Sequence, residues 1–514
     1  MKHLNLFLGG LSLVATGAYA QSQQQQTHPN VIYVFPDQFR NDACGFWKQE
    51  DFKKYRKAEG DPTITPNLDK FARESLVLTS AQSNNPVSSP HRAMLTTGMY
   101  SAEKNGVPVN CNTGSPNSSL NPEAITIGDV FSQAGYDCAY IGKYHLDTPT
   151  PNDPNNPGHY VNAKMPVWDA YTPKERRHGF NYWYSYGTFD EHKNPHYWDN
   201  EGHKHEPHEY SPVYEAKKTI EYMKNTNNVR DPKKPFLIMV GMNPPHSPYT
   251  SFKDCMEEDY NLYKDMPMDA LIRPNVTNRN LPKVKSTPYY FANVTGVDRA
   301  FGMILNALKE LGLEENTIVV FASDHGELMC SHELPSEAKN MPYAEAMNIP
   351  FIVRYPRKIA HRVDPLLLST PDIMPTLSGL AGVEKFVPSD VQGKNYAELF
   401  FDANSLMKRP TGALYMKNGF GKKNQKGENL GYSVVARGIK TAKYTLAFTV
   451  TKENKINKMF FFDDEKDPYQ LNCLPLKGNE KIVKELGKEL GRQLKAIDDP
   501  WYKEKILKDL ISYK

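Results

Sequence analysis

The chain has 514 residues and a formal charge of +3, with 39% hydrophobic and 24% charged residues. That balance excludes a disordered chain and lacks the basic field a nucleic-acid binder needs. At roughly 150 residues per domain the length allows two or three domains, and 39 prolines point to long, stiffened loops on a regular scaffold.

Met1-Lys2-His3 gives a positive start, followed by an apolar run from Leu4 to about Ala15 and an A-x-A-type site, Ala18-Tyr19-Ala20. Residues 1–20 are therefore predicted to be a signal peptide cleaved after about Ala20. Residues 21–28, with Gln23 to Gln26, are predicted to be a flexible leader. A periplasmic or secreted location follows. No later run of eighteen apolar residues predicts a membrane span. The six cysteines have no CxxC spacing and predict no zinc finger.

Five short apolar runs then read as buried strands: Val31 to Phe35, Ala139 to Gly142, Phe236 to Val240, Thr317 to Phe321 and Pro350 to Arg354. Helical periodicity lies between several of them, as in Val297 to Leu311. Alternating strands and helices predict an α/β fold with a large, mainly parallel sheet covered on both faces. Ligands of such sheets bind outside the carboxyl ends of the strands. Four of the runs lead into Asp37, Lys143, His246 and Asp324. Strand patterns at Tyr432 to Arg437, Tyr444 to Val450 and Met459 to Phe462, then an amphipathic Lys481 to Ile497, predict a smaller C-terminal α+β subdomain. The expected division is a catalytic domain at 29–395 and that subdomain at 396–514.

The most specific segment is Ser88-Ser89-Pro90-His91-Arg92-Ala93-Met94-Leu95-Thr96-Thr97-Gly98. A Ser-x-Pro turn opening a helix places a hydroxyl where backbone N–H groups favour an anion. Arg92, one turn on, can return to the same spot as a fixed fork. A helix cap and a surface arginine would be the structural alternative.

Taken whole, this segment resembles the signature of the sulfatase family, Cys/Ser-x-Pro-x-Arg-x-x-Leu-x-Thr-Gly. The resemblance implies an alkaline-phosphatase-like sandwich, a large central sheet between helices, with an antiparallel sheet in the C-terminal subdomain. It implies oxidation of Ser88 to 3-oxoalanine (formylglycine) by an anaerobic-type sulfatase maturase. Asn30 to Gln38 resembles the first metal loop of the family, with Asp37 and Gln38 as ligands. Phe321 to Glu327 resembles the second, with Asp324 and His325. Ser88 completes the implied set, and the oxygen donors favour one Ca2+, with Mg2+ as the alternative. Gly142-Lys143-Tyr144-His145 resembles the Gly-Lys-Trp-His segment. Pro245-His246-Ser247-Pro248 resembles Pro-His-x-Pro, and Lys339 stands where the second lysine of the family does. Phe461 to Tyr469 resembles the C-terminal strand-turn.

The implied reaction is hydrolysis of a sulfate monoester through a formylglycine hydrate and a sulfoenzyme intermediate. The cation, Arg92, Lys143 and Lys339 would neutralise the sulfuryl oxygens. His246, assisted by Lys339, would protonate the leaving alcohol, and His145 would take the proton from the second hydroxyl. The expected substrate is a sulfated oligosaccharide, carrying sulfated galactose or N-acetylhexosamine of mucin or glycosaminoglycan. The aromatic-rich stretch around Arg177, His192, His196 and Trp198 suits a sugar pocket or, equally, a loop packed on the scaffold. His203, His205 and His208 read as a solvated loop. A phosphatase or phosphodiesterase of the same superfold, or a non-catalytic glycan-binding protein, would share part of this pattern.

Overall fold

The computed structural model describes residues 28–512 except 101, 116, 152–154, 156–168, 424–428, 452 and 454. The expected signal peptide and nearly all of the expected leader fall outside the described residues.

Ten strands form the large sheet. In chain order they are β1 (Asn30–Val34), β2 (Leu76–Leu78), β3 (Asp137–Lys143), β4 (Tyr182–Tyr186), β5 (Tyr197–Trp198), β6 (Lys204–His205), β7 (Phe236–Gly241), β8 (Thr317–Ala322), β9 (Phe351–Arg354) and β10 (Arg362–Asp364). Their spatial order is β10-β2-β9-β8-β1-β7-β3-β4-β5-β6. The central run β8-β1-β7-β3-β4 is parallel, while β9 and the β5–β6 edge pair antiparallel. The mainly parallel α/β sheet expected from the sequence is thus present.

Each central strand is apolar on both faces, and the pleat sends alternate side chains to two different cores. Val31 and Tyr33 enter one core; Ile32 and Val34 enter the other. Ile318 and Val320 divide from Val319 and Phe321 in the same way. The first core is closed by helices Ser88–Thr97, Ile127–Gln133 and Ile373–Ala381 through Leu95, Phe131 and Leu377. The second is closed by Ser211–Met223 and Thr287–Glu310 through Tyr222, Phe291 and Phe301. The latter helix begins ten residues before the expected Val297. Pro288 sits in its first turn, where a missing N–H costs nothing, and Tyr290, Phe291 and Val294 extend its buried stripe.

Four strands of the large sheet go beyond the sequence reading for one cause. β2, β5, β6 and β10 are two or three residues long, too short for alternation to register. β4 lies in the aromatic stretch offered as a sugar pocket. Its Trp183 and Tyr184 are buried within the sheet, so this part of the stretch is scaffold.

Four antiparallel strands form the second sheet in the order β11 (Ala413–Lys423), β12 (Asn429–Lys440), β13 (Tyr444–Val450) and β14 (Ile456–Asp463). Helix Glu480–Ala496 buries Val483, Leu486, Leu490 and Leu494 against Leu446 and Phe461 of this sheet. Each such side chain contributes roughly 1.5–3 kcal/mol. The sheet also touches the loops of the larger one: Asn84 Nδ2 donates to Leu414 O (2.7 Å), and Tyr415 Oη donates to Asn340 O (2.9 Å), beside Lys339. All six cysteines are free, and five are buried.

Candidate active site

The site forms where β1, β3, β7 and β8 end together, because parallel strands deliver their following loops to one edge of the sheet. Ser323 pins two of these tips. Phe39 N donates to its Oγ (3.1 Å), and that hydroxyl reaches Pro36 O and His325 O. Gly142 has φ +87, and a Cβ there would meet Gly241 O at 2.2 Å, so only glycine lets β3 pass β7 just before Lys143.

Ser88 is the first residue of helix Ser88–Thr97, whose ten residues are all buried. Its side chain does not cap the helix. Instead Ser88 Oγ lies 3.2 Å from Asp37 Oδ1 and 3.1 Å from His325 Nε2. His325 Nδ1 donates to Gly326 O (2.9 Å), which fixes the neutral tautomer with a lone pair on Nε2. A single hydroxyl proton cannot serve both acceptors. Ligand atoms of Asp37, Asp324 and His325 lie within 4.8 Å of one another. Acceptors crowded in this way fit a bound cation: two carboxylates and a hydroxyl suit a hard divalent ion, and one imidazole is tolerated.

The electrostatics agree. Burial, then the neighbouring Asp37 charge, pushes the Asp324 carboxyl up to about 7. Burial also opposes ionisation of Asp37, but Lys143, His246, His325 and Arg92 more than reverse it and hold that carboxyl well below its ordinary value. Burial and Lys339 hold His325 well below the ordinary imidazole range.

Arg92 is fully enclosed. Its Nη1 donates to Lys143 O (2.7 Å), and its Nη2 donates to Asp37 (3.2 Å) and Asp324 (3.1 Å). The guanidinium stands 4.8 Å from the Phe35 ring. These contacts make it a clamp on the two carboxylates beside Ser88, and not the surface arginine of the structural alternative. Lys143 Nζ lies 2.9 Å from Asp37 Oδ2 and donates to Asn243 Oδ1 (2.9 Å). Lys339 Nζ donates to Gln38 Oε1, and burial lowers its pKa. His145 has φ +54 at the end of the β3 loop. Burial and the positive charges of Lys143 and Arg92 hold it well below the ordinary imidazole range. Its Nε2 donates to Asn112 Oδ1 (3.1 Å). His246 Nδ1 donates to Ser247 O (2.7 Å) and lies 3.4 Å from Asp190 Oδ1.

Three residues at this site were not singled out from the sequence. Asn243 opens the Asn243-Pro244-Pro245 turn just after the Phe236 to Val240 run, so its strand-tip position was a usable signal. Asp190 lies in an irregular loop and Asn112 in the one-turn helix Cys111–Gly114, and no local pattern marks either.

The four residues offered for sugar binding engage the scaffold. Arg177 donates from Nε to Thr172 O (3.0 Å) and from Nη1 to Asn200 O (3.1 Å). His192 Nδ1 donates to Asp254 O (2.7 Å), and His196 contacts Asp169. Trp198 keeps part of its ring exposed and packs on His196 with centroids 5.0 Å apart. His203 and His205 gather on Asp199 at the surface, and His208 reaches Asn194.

A parallel sheet whose tips gather two carboxylates, an imidazole and a helix-start serine defines a hydrolase of the alkaline-phosphatase-like fold. The chain belongs to the sulfatase family: the family model "Sulfatase" matches residues 29–383. A second model, "N-sulphoglucosamine sulphohydrolase, C-terminal", matches residues 336–498. An endo-4-O-sulfatase of Bacteroides thetaiotaomicron is 62% identical, covering 98% of this chain and all of the relative. An ulvan-active sulfatase of Formosa agariphila is 32% identical over 93% of this chain and 83% of the relative. A solved Bacteroides thetaiotaomicron sulfatase, described under metabolism of multiple glycosaminoglycans, superposes with a TM-score of 0.91 at 62% identity, covering 95% of this chain and all of that one. The yidJ sulfatase of Bacteroides fragilis gives 0.79 at 33% identity, over 94% and 98% of the two chains. The protein is a sulfuric ester hydrolase.

Proposed function

We propose that this chain is an exported carbohydrate sulfatase. It removes 4-O-sulfate from galactose or N-acetylhexosamine units within glycosaminoglycan chains, using a formylglycine made from Ser88 by a sulfatase maturase. The observation that carries the reading is the seat of Ser88, whose hydroxyl lies between Asp37 and His325 with Arg92 and Lys143 around them. The name of the 62% identical relative supports the 4-O position and the endo mode. The apolar run from Leu4 and the Ala18-Tyr19-Ala20 site support export. Residues 29–395 serve as the catalytic domain and 396–514 as its C-terminal subdomain.

Asp37, Asp324, His325 and Ser88 would hold one calcium ion, with magnesium as the alternative and Gln38 adding its amide oxygen. A bound cation supplies Lewis-acid neutralisation of sulfuryl oxygens, and formylglycine supplies a hydrated aldehyde with two hydroxyls in place of one. Lys143 and Lys339 orient the sulfate ester by charge, and Arg92 keeps the two carboxylates in register. His246 protonates the departing sugar oxygen, since an alkoxide is a poor leaving group near neutral pH. Ser247 O and Asp190 hold its Nδ1 side, leaving Nε2 for that oxygen. His145, kept neutral by burial and Lys143, accepts the proton of the second hydroxyl at position 88. Trp198 offers a ring for sugar stacking, with Arg177, His192 and His196 shaping the wall behind it.

The test is the chain matured with an anaerobic-type maturase and offered defined 4-O- and 6-O-sulfated oligosaccharides and the intact polymers. Expected are a loss of about 2 Da at Ser88, the difference between alcohol and aldehyde, and sulfate release from 4-O positions of intact polymer. Release from 6-O positions alone, from chain ends alone, or of phosphate in place of sulfate would overturn the reading.

A further inference from the structure

Glu327 follows the two metal-loop residues Asp324 and His325, and its side chain is fully buried. Its carboxylate is completely engaged. Oε1 accepts from Met329 N (2.8 Å) and Glu337 N (2.9 Å). Oε2 accepts from the Gln38 amide nitrogen. The opposite end of that amide, Gln38 Oε1, accepts from Lys339 Nζ.

With Glu327 ionised and Lys339 charged, the two contacts set the orientation of the amide. An ionised carboxylate can only accept, so Glu327 must face N–H. An ammonium can only donate, so Lys339 must face oxygen. The amide oxygen is thereby turned toward the lysine and away from Glu327. Gln38 N donates to Asp324 Oδ1 (3.0 Å), so the same residue is anchored to the carboxylate cluster by its backbone. Glu327 does a second thing at once. The segment 329–340 holds six non-glycine residues at positive φ: Met329, Cys330, His332, Glu333, Glu337 and Asn340. Left-handed backbone at non-glycine positions is held by its surroundings. Glu327 Oε1 binds this segment at two N–H groups, ten residues and fewer from the carboxylate, and Lys339 lies at its end.

We propose that Glu327 is the positioning residue that sets the Gln38 amide, holding its nitrogen and leaving its oxygen toward Lys339 as the end available to a cation. This rests on the reading above that Asp37, Gln38, Asp324, His325 and Ser88 surround a divalent cation. A bare glutamine amide could present N–H to the cation as readily as oxygen. Glu327 removes that choice, as partners of a ligating side chain do in metal sites generally.

The test is calcium binding by EGTA-stripped full-length protein, followed by calorimetric titration, with no need for converted Ser88. In Glu327→Gln the two amides can meet N–H to N–H, and relief comes by turning the Gln38 oxygen away. Affinity for Ca2+ is expected to fall about tenfold or more. In the swapped variant Gln38→Glu with Glu327→Gln, an amide donates to a carboxylate again, and a carboxylate oxygen faces the cation. Affinity there is expected to return to the wild-type value or tighter. Wild-type affinity in Glu327→Gln overturns the proposal, as does a swapped variant no better than the single one. Should Glu327→Gln fail to fold, the swapped variant decides: recovery of folding and of Ca2+ binding supports the pairing, and failure of either overturns it. A wild-type chain that binds neither Ca2+ nor Mg2+ removes the cation reading and this inference together, whereas loss of sulfate release with Ca2+ binding intact touches only the proposed reaction.

Discussion

Lys143 Nζ stands 2.9 Å from Asp37 Oδ2, with both side chains out of contact with solvent. The two residues follow β1 and end β3, which are separated by β7 in the sheet. The pair therefore spans a strand, and the Gly142–Gly241 crossing beneath it makes the span short enough. Lys143→Met leaves Asp37 with Arg92 as its remaining guanidinium or ammonium contact. Removing one partner of a buried ion pair costs about 3–5 kcal/mol. Urea unfolding is expected to show a loss of that order, and sulfate release is expected to fall further than the stability loss explains. Unchanged stability would mean that Asp37 is compensated from elsewhere.

In the proposed reaction His246 protonates the leaving oxygen. Its replacement by glutamine is expected to reduce turnover of sugar sulfates by about a hundredfold or more. An aryl sulfate carries a better leaving group and is expected to lose far less. Equal losses on 4-nitrophenyl sulfate and on a sulfated disaccharide would remove the acid role.

His145 gives a pH test with a definite sign. Burial, Lys143 and Arg92 hold its folded pKa well below the ordinary value of 6.5. The unfolded chain then binds more protons at this residue as pH falls through 6.5, so the stability it contributes above that pH is lost on acidification. Wild type is expected to lose stability relative to His145→Gln between pH 7 and pH 5 in thermal or urea unfolding. A constant difference across that range would show that the imidazole titrates normally.

Chelation should be visible in stability as well as in rate. A cation held by Asp37, Asp324 and His325 and absent from the unfolded chain stabilises by about 2.7 kcal/mol at a hundred times its Kd. EGTA is expected to lower Tm and added Ca2+ to restore it. Asp324→Asn is expected to abolish the Ca2+-dependent part of the shift.

The C-terminal subdomain supports Lys339 from outside through Tyr415 and Asn340. Leu490→Ala, in the helix behind that sheet, is expected to cost about 2–5 kcal/mol by opening a cavity. Calorimetric melting measures it, and KM for sulfated oligosaccharide is expected to change less than stability.

Local sequence determined what is repetitive or contiguous. Doubly apolar runs such as Val31 to Phe35 could only be strands buried on both faces, and they ended beside Asp37, Lys143, His246 and Asp324. The contiguous signature Ser88 to Gly98 fixed the family resemblance for the same reason: its spacing lies within one helix. Tertiary structure decided everything that depends on partners distant in sequence. Arg92 was legible as a fork, but its direction was set by Asp37 and Asp324, 55 and 232 residues away. Asp190 reaches His246 across a loop whose course no periodicity encodes. Trp183 and Tyr184 stood in a stretch that suited a sugar pocket and packed scaffold equally, because aromatic residues serve strands and pockets alike. Only pairing of β4 with β3 buries them in the sheet, since burial is a property of neighbours that the chain supplies after folding.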